Sequence, residues 1–139
     1  MSSIEGLRRA MKDISAKKGA FTFFGLLRRP GVPHGLWDLV VSAPWLESGT
    51  LKATKGFAQL LRKSIGETVF TELARIQTVD SDSPALARIL ETYSVDDVEV
   101  RVQRTILFGL EIDEAIILRA REASARKASG RSLQPTGGR

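Results

Sequence analysis

At 139 residues, 42% of them hydrophobic, the chain has the length of one domain with a sizeable core. With no cysteine and one histidine it excludes disulfides, thiolate metal sites and a cysteine nucleophile, and leaves only His34 for any histidine-based relay or metal site. The net charge of +5 conceals a segregation: residues 66–118 hold eleven acids against four arginines, while 1–19, 20–65 and 119–139 are each basic.

No stretch reaches the roughly 18 consecutive apolar residues of a membrane-spanning helix, and the beginning of the chain lacks the apolar region of a secretory signal. The expectation is a cytoplasmic protein with no membrane partner, and the absence of cysteine fits a reducing compartment.

Ile4, Leu7, Ala10, Met11 and Ile14 recur at helical spacing, with Ser2 or Ser3 as N-cap and Gly19 just past the end, so residues 3–17 read as an amphipathic helix. Ala20-Phe-Thr-Phe-Phe-Gly-Leu-Leu and Leu36-Trp-Asp-Leu-Val-Val-Ser-Ala flank a Pro/Gly-rich connection and read as a β-hairpin with a long tip. Trp37, Leu39, Val41 and Ala43 share the face expected in the core, with Leu36, Asp38, Val40 and Ser42 opposite. Pro44 ends the strand, and Glu47-Ser-Gly-Thr supplies turn and cap chemistry.

From Thr50 the stripe Leu51, Thr54, Phe57/Ala58, Leu61 and Ile65 predicts a helix, followed by a short one over about 67–73. Arg75-Ile-Gln-Thr-Val reads as a strand and Asp80-Ser-Asp-Ser-Pro as a turn. A helix from Pro84 to Tyr93 follows, with Ser83 as N-cap, Pro84 at N1, and Leu86, Ile89, Leu90 and Tyr93 inward. Val98, Val100 and Val102 alternate with Glu99, Arg101 and Gln103 in a half-exposed strand that runs on into Ile106-Leu-Phe-Gly-Leu. The residue types from Asp113 to Gly130 favour a helix over about 114–129; the alternative is a returning strand after an Asp113-Glu114 turn. The last ten residues carry no apolar periodicity and are expected to be mobile.

Asp80-Ser-Asp-Ser after a β-like run resembles, over about nine residues, the strand-then-Asp-x-Asp opening of haloacid-dehalogenase-type phosphatases. That resemblance implies a nucleophilic Asp80, a proton-handling Asp82 and a magnesium ion between them. A downstream Gly-Asp-x-x-x-Asp metal motif is absent. An Asx turn capping the helix at Pro84 is the favoured reading. Asp96, Asp97, Glu99, Glu111, Asp113 and Glu114 fit no EF-hand spacing and read as a solvated acidic edge. His34, among turn residues, reads as an exposed loop position, and no Gly-rich phosphate motif occurs.

The strongest binding signal is a cationic stripe opposite the apolar face of the helix from Thr50: Lys52, Lys55, Gln59, Arg62 and Lys63, with no acid between 48 and 66. Trp45, just past Pro44, is the ring expected to be partly exposed. Arg28 and Arg29 stand at the hairpin tip, where adjacent residues point to opposite faces.

These readings converge on a single α+β domain with a mainly antiparallel sheet and helices packed on it. It opens with an N-terminal amphipathic helix (1–18) and a β-hairpin within the α+β domain (19–129), and ends in a disordered basic tail (130–139). The expected function is a non-enzymatic interaction or regulatory module that needs no metal or cofactor. It would bind another protein chain or a second copy of itself through Arg28, Arg29, Trp45, Lys52, Lys55, Arg62 and Lys63. A nucleic-acid-associated accessory protein using the basic helix face is the second reading, and a small carboxylate-dependent hydrolase the third.

Overall fold

In the computed structural model, which describes residues 2–33, 35–46 and 51–121, apolar periodicity and tertiary pairing together generate three helices and five strands. They follow in the order α1 (Ser2–Lys18), β1 (Phe23–Arg28), β2 (Trp37–Ser42), α2 (Leu51–Phe70), β3 (Leu73–Thr78), α3 (Pro84–Thr92), β4 (Val95–Leu107) and β5 (Leu110–Ala120). The strands form one sheet in the order β3-β2-β1-β5-β4. β1 pairs antiparallel with β2 and with β5, and β4 antiparallel with β5. β3 alone lies parallel to its neighbour, β2, because α2 carries the chain back across the sheet between them, as a parallel pair requires. The expected single α+β domain with a mainly antiparallel sheet is what forms. Among the described residues no helix is long and apolar enough to cross a membrane.

The sheet is buried on both faces. On one, Ile4, Leu7, Met11 and Ile14 of α1 and Phe57 and Leu61 of α2 pack on Phe24, Leu26, Leu39, Val41, Ile116 and Leu118. On the other, Leu86 and Ile89 of α3 join Phe23, Leu27, Val40, Ala115 and Ile117. Two-sided burial alters the reading of β2: Leu39 and Val41 are in the core as expected, yet Asp38, Val40 and Ser42 opposite them are buried too. Trp37 shares the expected face but is only half-buried, with the Arg28 guanidinium 5.7 Å from its ring centroid.

Helix ends follow local chemistry. Ser83 caps α3, its hydroxyl accepting from the Leu86 N–H at 3.4 Å, and Pro84 opens the first turn without an orphaned donor. Within α2, Gly66 adopts φ 86° and ψ 167°, a region open essentially to glycine, so the helix kinks there and Glu67–Phe70 form a separate last turn. The expected second helix is thus this last turn, and Leu73 already belongs to β3.

The expected helix over about 114–129 is corrected: residues 114–120 belong to strand β5, and the rest of that span lies outside the described residues. The chain reverses at Phe108-Gly109, with φ of 55° and 76°, the double positive φ of a two-residue hairpin turn. β5 then lies between β1 and β4. A strand with sheet neighbours on both sides and helices on both faces carries the unbroken apolar run Ala115–Leu118, which has no period-2 signature.

The two outer strands expose hydrogen-bonding edges. On β4 a register shift between Asp96 and Val100 pushes Val98 outward, 51% exposed, and Arg104 at φ 53° interrupts the strand again. Such irregularities hinder pairing of that edge with another sheet. Beyond Arg104 the alternation reverses, and Leu107 and Ile112 reach the α3 side of the sheet alongside Val100 and Val102. His34, the cap chemistry of residues 47–50 and the expected tail lie outside the described residues.

Candidate functional site

Where α1 ends and α2 begins, the first face of the sheet carries a groove of about 560 Å³. Trp45, Leu46, Phe57 and Leu60 form its apolar lining, and Lys18 from α1 and Lys52 from α2 bring charge to it. Trp45 is held by a short chain of causes. Gly19 stops α1 at φ 121°, and a Cβ there would sit 3.0 Å from the indole, so the ring lies flush on the glycine. The indole N–H donates to the Gly19 carbonyl at 2.8 Å, and the ring meets buried Phe21 edge-on at 5.3 Å. Phe21 in turn meets Phe24 and Phe57 edge-on at 5.1 and 6.0 Å, which ties the groove floor to β1 and α2.

Of the residues singled out in the sequence, the structure brings Trp45 and Lys52 together, with exposed Lys55 one turn further along α2. Lys18, Lys52, Lys55 and Lys63 form no ion pair with another described residue. Arg62 is engaged: its Nε donates to Glu67 at 2.7 Å and its guanidinium lies 5.4 Å from the Phe70 ring centroid. Arg28 and Arg29 are at the opposite end of the hairpin and do not join the groove. As alternation requires, they part: Arg28 pairs with Glu114 at 2.7 Å, whereas Arg29 pairs with Asp38 at 2.6 Å on the other face.

Three acids of the acidic segment, Asp96, Glu99 and Glu114, are paired with arginines. Arg119 and Arg121 hold Asp96 at 2.6 and 2.8 Å, and Arg101 bridges Glu99 at 2.6 Å and Glu114 at 3.3 Å. The hydrogen bond to Glu99, foremost among its contacts, raises the Arg101 pKa above its ordinary value. These acids serve the β1, β4 and β5 region and leave the cations of α2 without a counter-charge from Asp96, Glu99 or Glu114. Asp82 is exposed beside the Ser83 cap, in an open cleft with Glu91, Tyr93 and Arg121.

Two features lay beyond the reach of the sequence reading. Lys18 reads there only as the end of an amphipathic helix. A second cavity, of about 290 Å³, opens on the α3 side of the sheet around Asp38, Arg29 and Arg75. The carboxylate of Asp38 is 3% exposed and accepts from the Nε of Arg29 at 2.6 Å, with the Nε of Arg75 at 3.4 Å. The Asp38 hydrogen bond, and after it the Asp38 charge, raise the Arg29 pKa above its ordinary value. The available signal was an aspartate inside an apolar strand, which calls for a cationic partner once both faces are buried.

Comparison with known protein families, curated proteins and solved structures finds no match for this chain. Its fold and its groove define an α+β domain with a basic, apolar-floored cleft between two helices.

Proposed function

We propose that the protein is a non-catalytic interaction module whose groove between α1 and α2 receives an acidic segment of another protein chain carrying an apolar anchor. The observation that carries this reading is the placement of Lys18 and Lys52, which have no ion-pair partner among the described residues, beside the apolar surface of Trp45, Leu46, Phe57 and Leu60. An aromatic anchor beside complementary charge is the usual composition of an energetic centre in a protein interface, and the cations steer the encounter. The reading takes a different chain as the partner: Asp96, Glu99 and Glu114 of a second copy are already committed to arginines and are not free to supply the acidic segment. The absence of cysteine suits a cytoplasmic setting for such a module. Ser83 capping α3 beside Asp82 supports a structural role for the Asp80-Ser-Asp-Ser turn over a catalytic one.

Fluorescence anisotropy with a labelled peptide of alternating Glu/Asp and Leu/Phe residues tests the reading directly. A Lys-for-acid version of the peptide and a single-stranded oligonucleotide serve as competitors. Gly56→Gln is the informative variant: Gly56 is exposed in the groove, with nothing within 4 Å of a built Cβ, so the side chain occupies the groove without disturbing the core. The acidic peptide should bind, and both Gly56→Gln and the pair Lys52→Glu/Lys55→Glu should lose at least about tenfold in affinity while remaining folded. An oligonucleotide binding more tightly than the peptide at about 0.15 M salt, where the Debye length is about 8 Å, would reject this function in favour of nucleic-acid association.

A further inference from the structure

The cavity around Asp38 lies on the opposite side of the sheet from the groove and is built by strand register. Leu27 of β1, Asp38 of β2 and Arg75 of β3 are direct cross-strand neighbours, so an apolar, an acidic and a basic side chain stand in one row. The β4–β5 turn supplies another wall: Phe108 reaches Phe23 edge-on at 5.3 Å, and Leu110 and Ile112 follow it along β5. The polar end is therefore this row together with Arg29, and the rest of the lining, Val40, Val79, Phe108, Leu110 and Ile112 with Gln77 beside Val40, is mainly apolar.

At the polar end two guanidiniums face one carboxylate, which leaves one positive charge in excess. Asp38 is a positioning residue: it accepts from the Nε and one Nη of Arg29 and faces the Nε of Arg75, leaving three terminal N–H donors of Arg29 and the four of Arg75 for a second acceptor. Arg29 and Arg75 keep 37% and 47% of their side chains exposed, so their outer edges are accessible. A planar guanidinium beside an apolar wall matches a carboxylate joined to a hydrocarbon chain, because the fork geometry favours carboxylates and the wall favours methylenes. A volume of about 290 Å³ stands at the small end of ligand cavities and suits a short chain rather than a long one.

We propose that this cavity binds a medium-chain aliphatic monocarboxylate, with its carboxylate on Arg75 and Arg29 and its chain against Phe108, Leu110 and Ile112. The site is independent of the peptide groove, and each can fail without the other.

Isothermal titration of the full chain with octanoate and, separately, with octan-1-ol tests it. Octanoate should bind saturably at one site, and octan-1-ol at least about tenfold more weakly, the ratio expected for one lost charge-assisted contact. Arg75→Gln should lower octanoate affinity about tenfold with the melting temperature retained. Leu110→Glu, at an exposed position, should do the same by repelling the carboxylate and shortening the apolar wall, and it decides the matter if Arg75→Gln does not fold. Absence of saturable octanoate binding, equal binding of the alcohol, or a folded variant of either kind with wild-type affinity would overturn the proposal.

Discussion

Phe21 is the point at which stability and groove geometry are coupled. Its ring is 1% exposed and makes edge-to-face contacts with Phe24, Trp45 and Phe57, so it joins β1, the segment after β2 and α2. Phe21→Ala removes a fully buried ring and leaves a cavity, a change that costs about 3–5 kcal/mol. Phe21→Leu keeps most of the apolar volume but forfeits the aromatic geometry. At about 0.5–1.5 kcal/mol for each pair, with partial compensation by the new methyls, its cost should be about 2 kcal/mol. Against a total stability of about 5–15 kcal/mol, the alanine variant approaches unfolding and the leucine variant does not. Urea unfolding followed by far-ultraviolet circular dichroism supplies both values, and tryptophan emission in the folded leucine variant should change as Trp45 loses its edge contact. An alanine variant within about 1 kcal/mol of wild type, or a leucine variant as costly as alanine, would refute the assignment of Phe21 as the hub.

Trp37→Ala should cost less than Phe21→Ala in the same urea experiment, because the Trp37 ring is half-buried and leans on Arg28 rather than sitting inside the core. Gly66→Ala should destabilise by about 1–3 kcal/mol although nothing lies within 4 Å of the added methyl, since the backbone at φ 86° and ψ 167° sets the cost and not the space; thermal denaturation checks it. Ser83→Ala should remove about 1 kcal/mol by leaving the Leu86 N–H without its cap, measured by chemical denaturation. Asp82→Asn, at an exposed turn position, should leave the unfolding curve unchanged and produce no loss of peptide binding in the groove.

How far local sequence reaches is clearest in α3 and β5. Ser83, Pro84 and the Leu86/Ile89 spacing carry their own instructions, since cap and periodicity act within a few residues of one another. α1 is legible from one apolar stripe, and the β1–β2 hairpin from two short apolar runs joined by a Pro/Gly-rich connection, each bounded by residues that stop it. β5 is different. Its Ala115–Leu118 run is apolar on both sides because β1, β4 and helices on both faces surround it, and an unbroken run carries no period by which to tell strand from helix. The decisive local signal, Gly109 in the turn with Phe108, sat inside what reads as a continuous strand.

The sites divide in the same way. The cations of α2 and the partial exposure of Trp45 follow from helical and strand geometry alone. That Lys18 joins Trp45 and Lys52 depends on α1 folding back against α2, a contact between segments more than 25 residues apart in the chain. The Asp38 cavity is further still from local control. Arg29 and Asp38 face the same side through the hairpin, but Arg75 reaches them only because α2 returns the chain parallel to β2 in the register Asp38↔Arg75. Composition and periodicity determined which side chains seek water and which avoid it. Which of them meet was decided by strand order and register, because these depend on simultaneous burial of both sheet faces and not on any one segment.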